Sequence, residues 1–151
     1  MPLKRRGTPE EQQALAVYIN LQRASEAVLA RTTAHLARHH LSASQFAILE
    51  ALYHLGPLSQ RDLAQKLLRS AGNISIVLKN MEKRGLIARE RAPEDHRYMQ
   101  VRITPLGQEL LLSVWGTHVR GIVEEMSVLT AAEQEELGRL CRKLGLRDPT
   151  A

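Results

Sequence analysis

The sequence predicts a mainly α-helical chain that carries one β-hairpin. Three observations point there. Apolar residues recur at spacings of three and four along most of the chain, the helical period. After Gly85 the period drops to two, in LIARERA and YMQVRIT, with the turn-forming PEDHR between them. Residues suited to capping stand at the head of successive helical stretches.

The first helix is expected from about Pro9 to His39. Ala14, Val17, Tyr18, Leu21, Ser25, Val28, Leu29, Thr32 and Leu36 follow the helical spacing. Pro9 with Glu10 and Glu11 suits a helix start, where acids meet the positive end of the dipole. About 30 residues at 1.5 Å each span roughly 45 Å, against a radius of gyration of about 15 Å for a compact globule of this length. A helix that long projects beyond its own domain, so its apolar stripe is expected to pack on a second chain.

In LSASQFAILEALYHLG, Ser42 is the expected N-cap with Gln45 three residues on, and Gly56-Pro57 the stop. Phe46, Leu49, Leu52 and Tyr53 form its apolar face. LSQRDLAQKLL repeats the device, with Ser59 as cap, Asp62 at the third helical position, and Leu63, Ala64 and Leu67 inward. Arg69 and Ser70 form a brief turn, Ser70 caps the helix in RSAGNISIVLKNMEKRG, and Gly85 ends it. Beyond the hairpin, Thr104 caps a helix with Pro105 at its first position. Thr130 and Glu133 form a capping box for the last helix, which carries Leu137, Leu140, Cys141 and Leu144 on one face.

Composition narrows the classes. With 44% hydrophobic but 3% aromatic residues, the core of this 151-residue chain must be built from Leu, Ile, Val and Ala. No apolar run approaches the roughly 18 residues of a membrane span. The opening MPLKRRGTPEEQQ has no apolar segment of a secretory signal. The single cysteine, Cys141, excludes an intramolecular disulfide, and a soluble cytoplasmic protein is expected. The net charge of +5 is unevenly placed: residues 57–105 hold ten basic and five acidic side chains, and the remainder eleven of each. The excess therefore lies in the middle third, as expected of a segment that meets a polyanion.

Helix, short turn, helix and β-hairpin together make a winged helix-turn-helix arrangement. On a helical wheel of residues 70–84, Ile74, Val77, Leu78 and Met81 share an apolar arc. Gly72, Ile76, Lys79, Asn80 and Lys83 fall opposite, flanked by Asn73 and Ser75. Asparagines can pair with adenine edges and lysines with phosphate or guanine, while glycine permits close approach. Arg97 lies where the wing tip should be, beside His96, and a narrow minor groove favours an arginine. Arg89, Arg91 and Arg102 are phosphate-contact candidates on the strands. Ser59, Gln60, Arg69 and Ser70 complete the expected DNA-binding set.

Other chemistry fits PEDHRY poorly. Glu94 and Asp95 are adjacent, so they cannot flank one bond from opposite sides as a glycosidase pair must. Asp95 and His96 lack further metal ligands at a fitting spacing. With no nucleophile–base pair and no metal set, an enzyme is not expected, and neither is a cofactor.

The stretch SQRDLAQKLLRSAGNISIVLKNMEKRGLIARERAPEDHRYMQVRITPLG resembles the MarR family of bacterial transcriptional regulators. KRGLIARER, Asp95-x-Arg97 in the wing, and ITPLGQEL carry the resemblance, which extends over nearly the whole chain. It implies a homodimer in which residues 1–39 and 106–151 are the dimerisation region and 40–105 the DNA-binding lobe. It further implies that Arg97 enters the minor groove and Asp95 orients it. The family's commonest wing signature ends in two arginines, and Tyr98 takes the second place here. The implied function is a sequence-specific repressor on a pseudo-palindromic operator, with its two recognition helices in major grooves about 34 Å apart. Release by a small phenolic or quinone-like effector, or by another stress signal, is implied with it. Core packing is the expected role of Tyr18, Phe46, Tyr53, Trp115 and His118, with an effector pocket as the alternative. Cys141 is expected to be a buried small hydrophobe. His35, His39 and His40 are expected to form a polar helix end instead of a metal site with His118.

Overall fold

The computed structural model describes residues 7–67 and 71–151. In chain order these form α1 (Pro9–Thr33), a 3-10 helix (Ala34–His39), α2 (Ala43–Leu55), β1 (Leu58–Ser59), α3 (Gln60–Lys66), α4 (Ala71–Lys83), β2 (Ile87–Arg91), β3 (Met99–Ile103), α5 (Pro105–Met126) and α6 (Ala131–Leu146).

Local hydrogen bonding explains most of the boundaries, because the first amides of a helix have no partner within it. Ser42 and Gln45 form a complete capping box at α2, and Thr130 and Glu133 another at α6. Ser59 Oγ accepts from the Asp62 amide at 3.0 Å to start α3. Thr104 Oγ1 accepts from the Gly107 amide at 3.1 Å and donates to the Gly85 carbonyl at 2.5 Å, tying the head of α5 to the end of α4. Gly85 has φ +73°, and the amides of Gly85 and Leu86 donate to Glu82 and Met81. That is a Schellman closure, with glycine in the left-handed position.

The first helix is shorter than its periodicity predicts. α1 ends at Thr33 and the chain tightens into the 3-10 helix, which closes on His40 with φ 54°. Thr32 Oγ1 donates to the Val28 carbonyl at 2.8 Å, a bond that competes with the α-helical ladder.

The sheet has three antiparallel strands in the order β1-β3-β2, where a two-stranded hairpin was expected. The hairpin pairs Ile87 with Ile103 and Arg91 with Met99, and β1 adds Leu58 opposite Val101.

The chain divides into two compact units. One is Thr33–His118; the other joins residues up to Thr32 with Val119–Ala151. Among the described residues the buried hydrophobic ones all belong to the first, including Phe46, Leu49, Leu63, Ile74, Leu78, Met81 and Val101. Leu36, Leu111 and Val114, outside the expected 40–105 lobe, are buried in this same core.

The second unit is built differently. Among its described residues only Thr32 is buried, and α6 buries none. Val17, Tyr18 and Leu29 on α1, Val123 on α5, and Leu137, Leu140 and Leu144 on α6 are exposed. Cys141, expected to be buried, is exposed as well, on the same helix face as those exposed leucines. Arg31 and Glu125 form an ion pair at 2.7 Å in this unit. No helix among the described residues is long and apolar enough to cross a membrane.

Candidate nucleic-acid interface

Packing fixes which face of α4 is presented. Ile74, Leu78 and Met81 are buried, and Val77 and Ser75 are half-buried. Their burial leaves Gly72, Ile76, Lys79, Asn80 and Lys83, the arc that the wheel placed opposite the core, exposed together with the flanking Asn73. Arg69 and Ser70 lie outside the described residues.

At the C-terminal end of this arc, Lys79, Glu82, Lys83 and Arg89 line an open concavity of about 440 Å³. Arg89 is held there by Glu82 at 2.6 Å and by Gln60 Oε1 at 3.4 Å. Three cationic groups around one carboxylate make the concavity net positive, suited to an anionic group. Of the residues expected to bind DNA, Ser59 also caps α3 and Gln60 supports Arg89.

The wing is closed by the Ala92 amide donating to the Tyr98 carbonyl at 2.8 Å, which leaves residues 93–97 as its tip. Asp95 organises that tip. Its Oδ1 accepts from the Arg97 amide at 3.1 Å, an Asx-type turn, and its carboxylate receives Nε at 3.0 Å and Nη2 at 2.8 Å from the Arg97 side chain. The arginine holds the Asp95 carboxyl below its ordinary pKa, chiefly through the side-chain hydrogen bonds. Although clamped, the Arg97 side chain remains 84% exposed. The other strand arginines are engaged: Arg91 donates to the His96 carbonyl at 2.6 Å, and Arg102 pairs with Glu90 at 3.0 Å. His96 itself is exposed at the tip. Tyr98 is 61% exposed and lines a cleft of about 660 Å³ with Ser59, Arg61, Asp62 and Asp95.

Three of the expected effector residues come together in the Thr33–His118 unit. The Phe46 ring is 4.3 Å from His118 and 6.3 Å from Trp115. Tyr53 meets the cluster through His54, at 5.2 Å from Tyr53 and 5.7 Å from Trp115. Tyr18 is an exposed residue of α1 in the other unit. His35, read from the sequence as part of a polar helix end, packs 5.3 Å from His118, and its Nε2 is buried without a hydrogen-bond partner. His35 is drawn out of a purely polar helix end because the 3-10 helix sets it against His118 of α5. The sequence pairs His35 with His118 only as a rejected metal site, and spacing gives no sign of His54 as a member of this cluster. Among the described residues no three His, Cys, Asp or Glu side chains are grouped as metal ligands.

Successive helices on one core, the second offering a polar arc beside a three-stranded wing, define a winged helix-turn-helix protein. Residues 41–98 match the profile of the MarR family. The chain is 31% identical over 135 residues to the HTH-type transcriptional regulator MhqR of Bacillus subtilis (strain 168), covering 89% of this chain and 93% of that one. This protein belongs to the MarR family, whose members are transcriptional regulators and not enzymes. Its fold matches BpsR of Bordetella bronchiseptica, in a structure described as explaining regulation of DNA binding by 6-hydroxynicotinic acid. That match has a TM-score of 0.79 and 25% identity, covering 86% of this chain and 98% of BpsR. It also matches AbsC, a MarR family regulator from Streptomyces coelicolor, with a TM-score of 0.81 at 21% identity over 95% of this chain and 97% of that one.

Proposed function

We propose that this protein is a homodimeric repressor that binds a pseudo-palindromic operator and is released by a small phenolic or quinone-like effector. The observation that carries the DNA-binding part is Arg97, fixed by Asp95 yet 84% exposed at the wing tip. A surface cation held in one geometry has already lost the freedom that binding would otherwise remove, so its approach to a minor groove costs less. The exposed arc of α4 supplies major-groove contacts: Asn73 and Asn80 to base edges, Lys79 and Lys83 to phosphate or guanine.

Dimerisation is supported by the unit that lacks a core. A helix with an apolar face needs a partner, and among the described residues Leu137, Leu140 and Leu144 of α6 remain exposed. A second copy of the same surface is the simplest cover, since most soluble oligomers are symmetric dimers. The effector reading is supported by the cluster of Phe46, Trp115 and His118, and by the buried Nε2 of His35, which lacks a partner. Aromatic rings beside a polar atom that lacks a partner suit a hydroxylated aromatic molecule, and BpsR answers to one.

Sedimentation of the full chain with and without a promoter duplex tests the proposal. Two chains alone and two chains per operator are expected, with dissociation on adding a phenolic acid or quinone. A monomer that ignores the duplex would refute it.

A further inference from the structure

We infer that Ile76 recognises a thymine, through van der Waals contact with its 5-methyl group in the major groove. This rests on the DNA-binding reading above and adds the base that the middle of α4 selects.

Single exposed apolar side chains are ordinary on protein surfaces, so exposure alone would mean little. The setting of Ile76 is what counts. It is 65% exposed at the centre of the polar arc, while Ile74, Leu78 and Met81 of the same helix are buried. Asn73, Lys79 and Asn80 surround it one turn away on either side. A helical side chain leans over the turn N-terminal to its own Cα, which here holds Gly72 and Asn73. Gly72 has no side chain, and a Cβ built there would meet nothing within 4 Å. The space over Gly72, toward which Ile76 leans, is therefore open. Behind it, Ser44, Asn73, Ile74 and Val77 complete a shallow concavity of about 250 Å³.

The chemistry then narrows the partner. Phosphates and most base edges offer only charge or hydrogen-bonding groups, which an isoleucine cannot use. Among the four bases, thymine alone presents a methyl group in the major groove. A β-branched side chain is held in one dominant rotamer in a helix, so little side-chain freedom remains to be lost on contact.

The test uses the full-length protein and an operator duplex recovered from a randomised pool. Each thymine is replaced in turn by deoxyuridine, which lacks only the methyl. At one thymine per half-site the wild-type protein should bind about fourfold more weakly, as for loss of one buried methyl. Ile76→Ala, at an exposed position where folding is not at stake, should bind the thymine and deoxyuridine duplexes equally. The inference is overturned if no thymine is sensitive, or if Ile76→Ala keeps the wild-type sensitivity. Failure of the DNA-binding reading looks different: no sequence would be enriched from the pool, and both conclusions would fall.

Discussion

Asp95 accepts from both the backbone amide and the guanidinium of Arg97, with Nη2 to Oδ2 at 2.8 Å. The same two residues thus shape the turn and aim the cation. PEDHRY is a carboxylate pair in a basic stretch, and one of its carboxylates has a mechanical task. Arg97→Ala should weaken operator binding about tenfold or more while moving the thermal midpoint by no more than about 2 °C, because the pair is at the surface. Gel shifts at matched salt together with thermal melts check both halves.

Asp95→Asn should weaken binding less than Arg97→Ala, since the cation remains but loses its ionic hold. The pH behaviour follows from the depressed Asp95 pKa. A carboxylate with a lowered folded-state pKa contributes above its unfolded value and loses that contribution only as pH falls through the lower, folded one. The affinity ratio of wild type to Asp95→Asn should therefore stay flat between about pH 5 and 8. A ratio that varied across that window would assign the clamp to another group.

Lys79 should act through charge. If each Lys79 of a dimer neutralises one phosphate, Lys79→Ala lowers the slope of log K against log salt by about 1.8, at about 0.9 per contact. An unaltered slope would leave Lys79 a base contact or none.

Leu140→Asp should convert the dimer to a monomer and abolish operator binding. The single tryptophan, Trp115, packs in the other unit and should keep its near-ultraviolet signal. Sedimentation checks the mass, and a variant that stays dimeric would place the interface elsewhere.

Gly107 is a packing constraint within ITPLG. A Cβ there would collide with the Leu86 carbonyl oxygen. Gly107→Ala should cost about 1–3 kcal/mol in urea unfolding, as overpacking does. Gly72→Ala, with open space around it, should raise stability by up to about 1 kcal/mol. Equal midpoints for the two would mean that α5 shifts freely.

Sequence and structure agree where the determinants are local. The caps at Ser42, Ser59, Thr104 and Thr130 were legible because each hydroxyl meets an amide three residues away. The glycine stop at Gly85 and the arc of α4 were legible for the same reason. The end of α1 was not, since Thr32 and Leu36 keep helical spacing through the change to 3-10 geometry and no glycine or proline marks it. β1 was missed because two residues cannot display alternation. His35 and His54 depend on contacts with α5 and Trp115 that spacing does not encode. Cys141 shows the remaining gap: an apolar helix face reads as core whether its cover lies in the same chain or in another.

The most direct test is to sequence genomic fragments retained by the purified protein. These fragments should share an inverted repeat whose half-site centres lie about 10 base pairs apart, one helical turn. Arg97→Ala should deplete those fragments. Fragments without a common sequence, or a repeat retained equally by Arg97→Ala, would contradict this mode of binding.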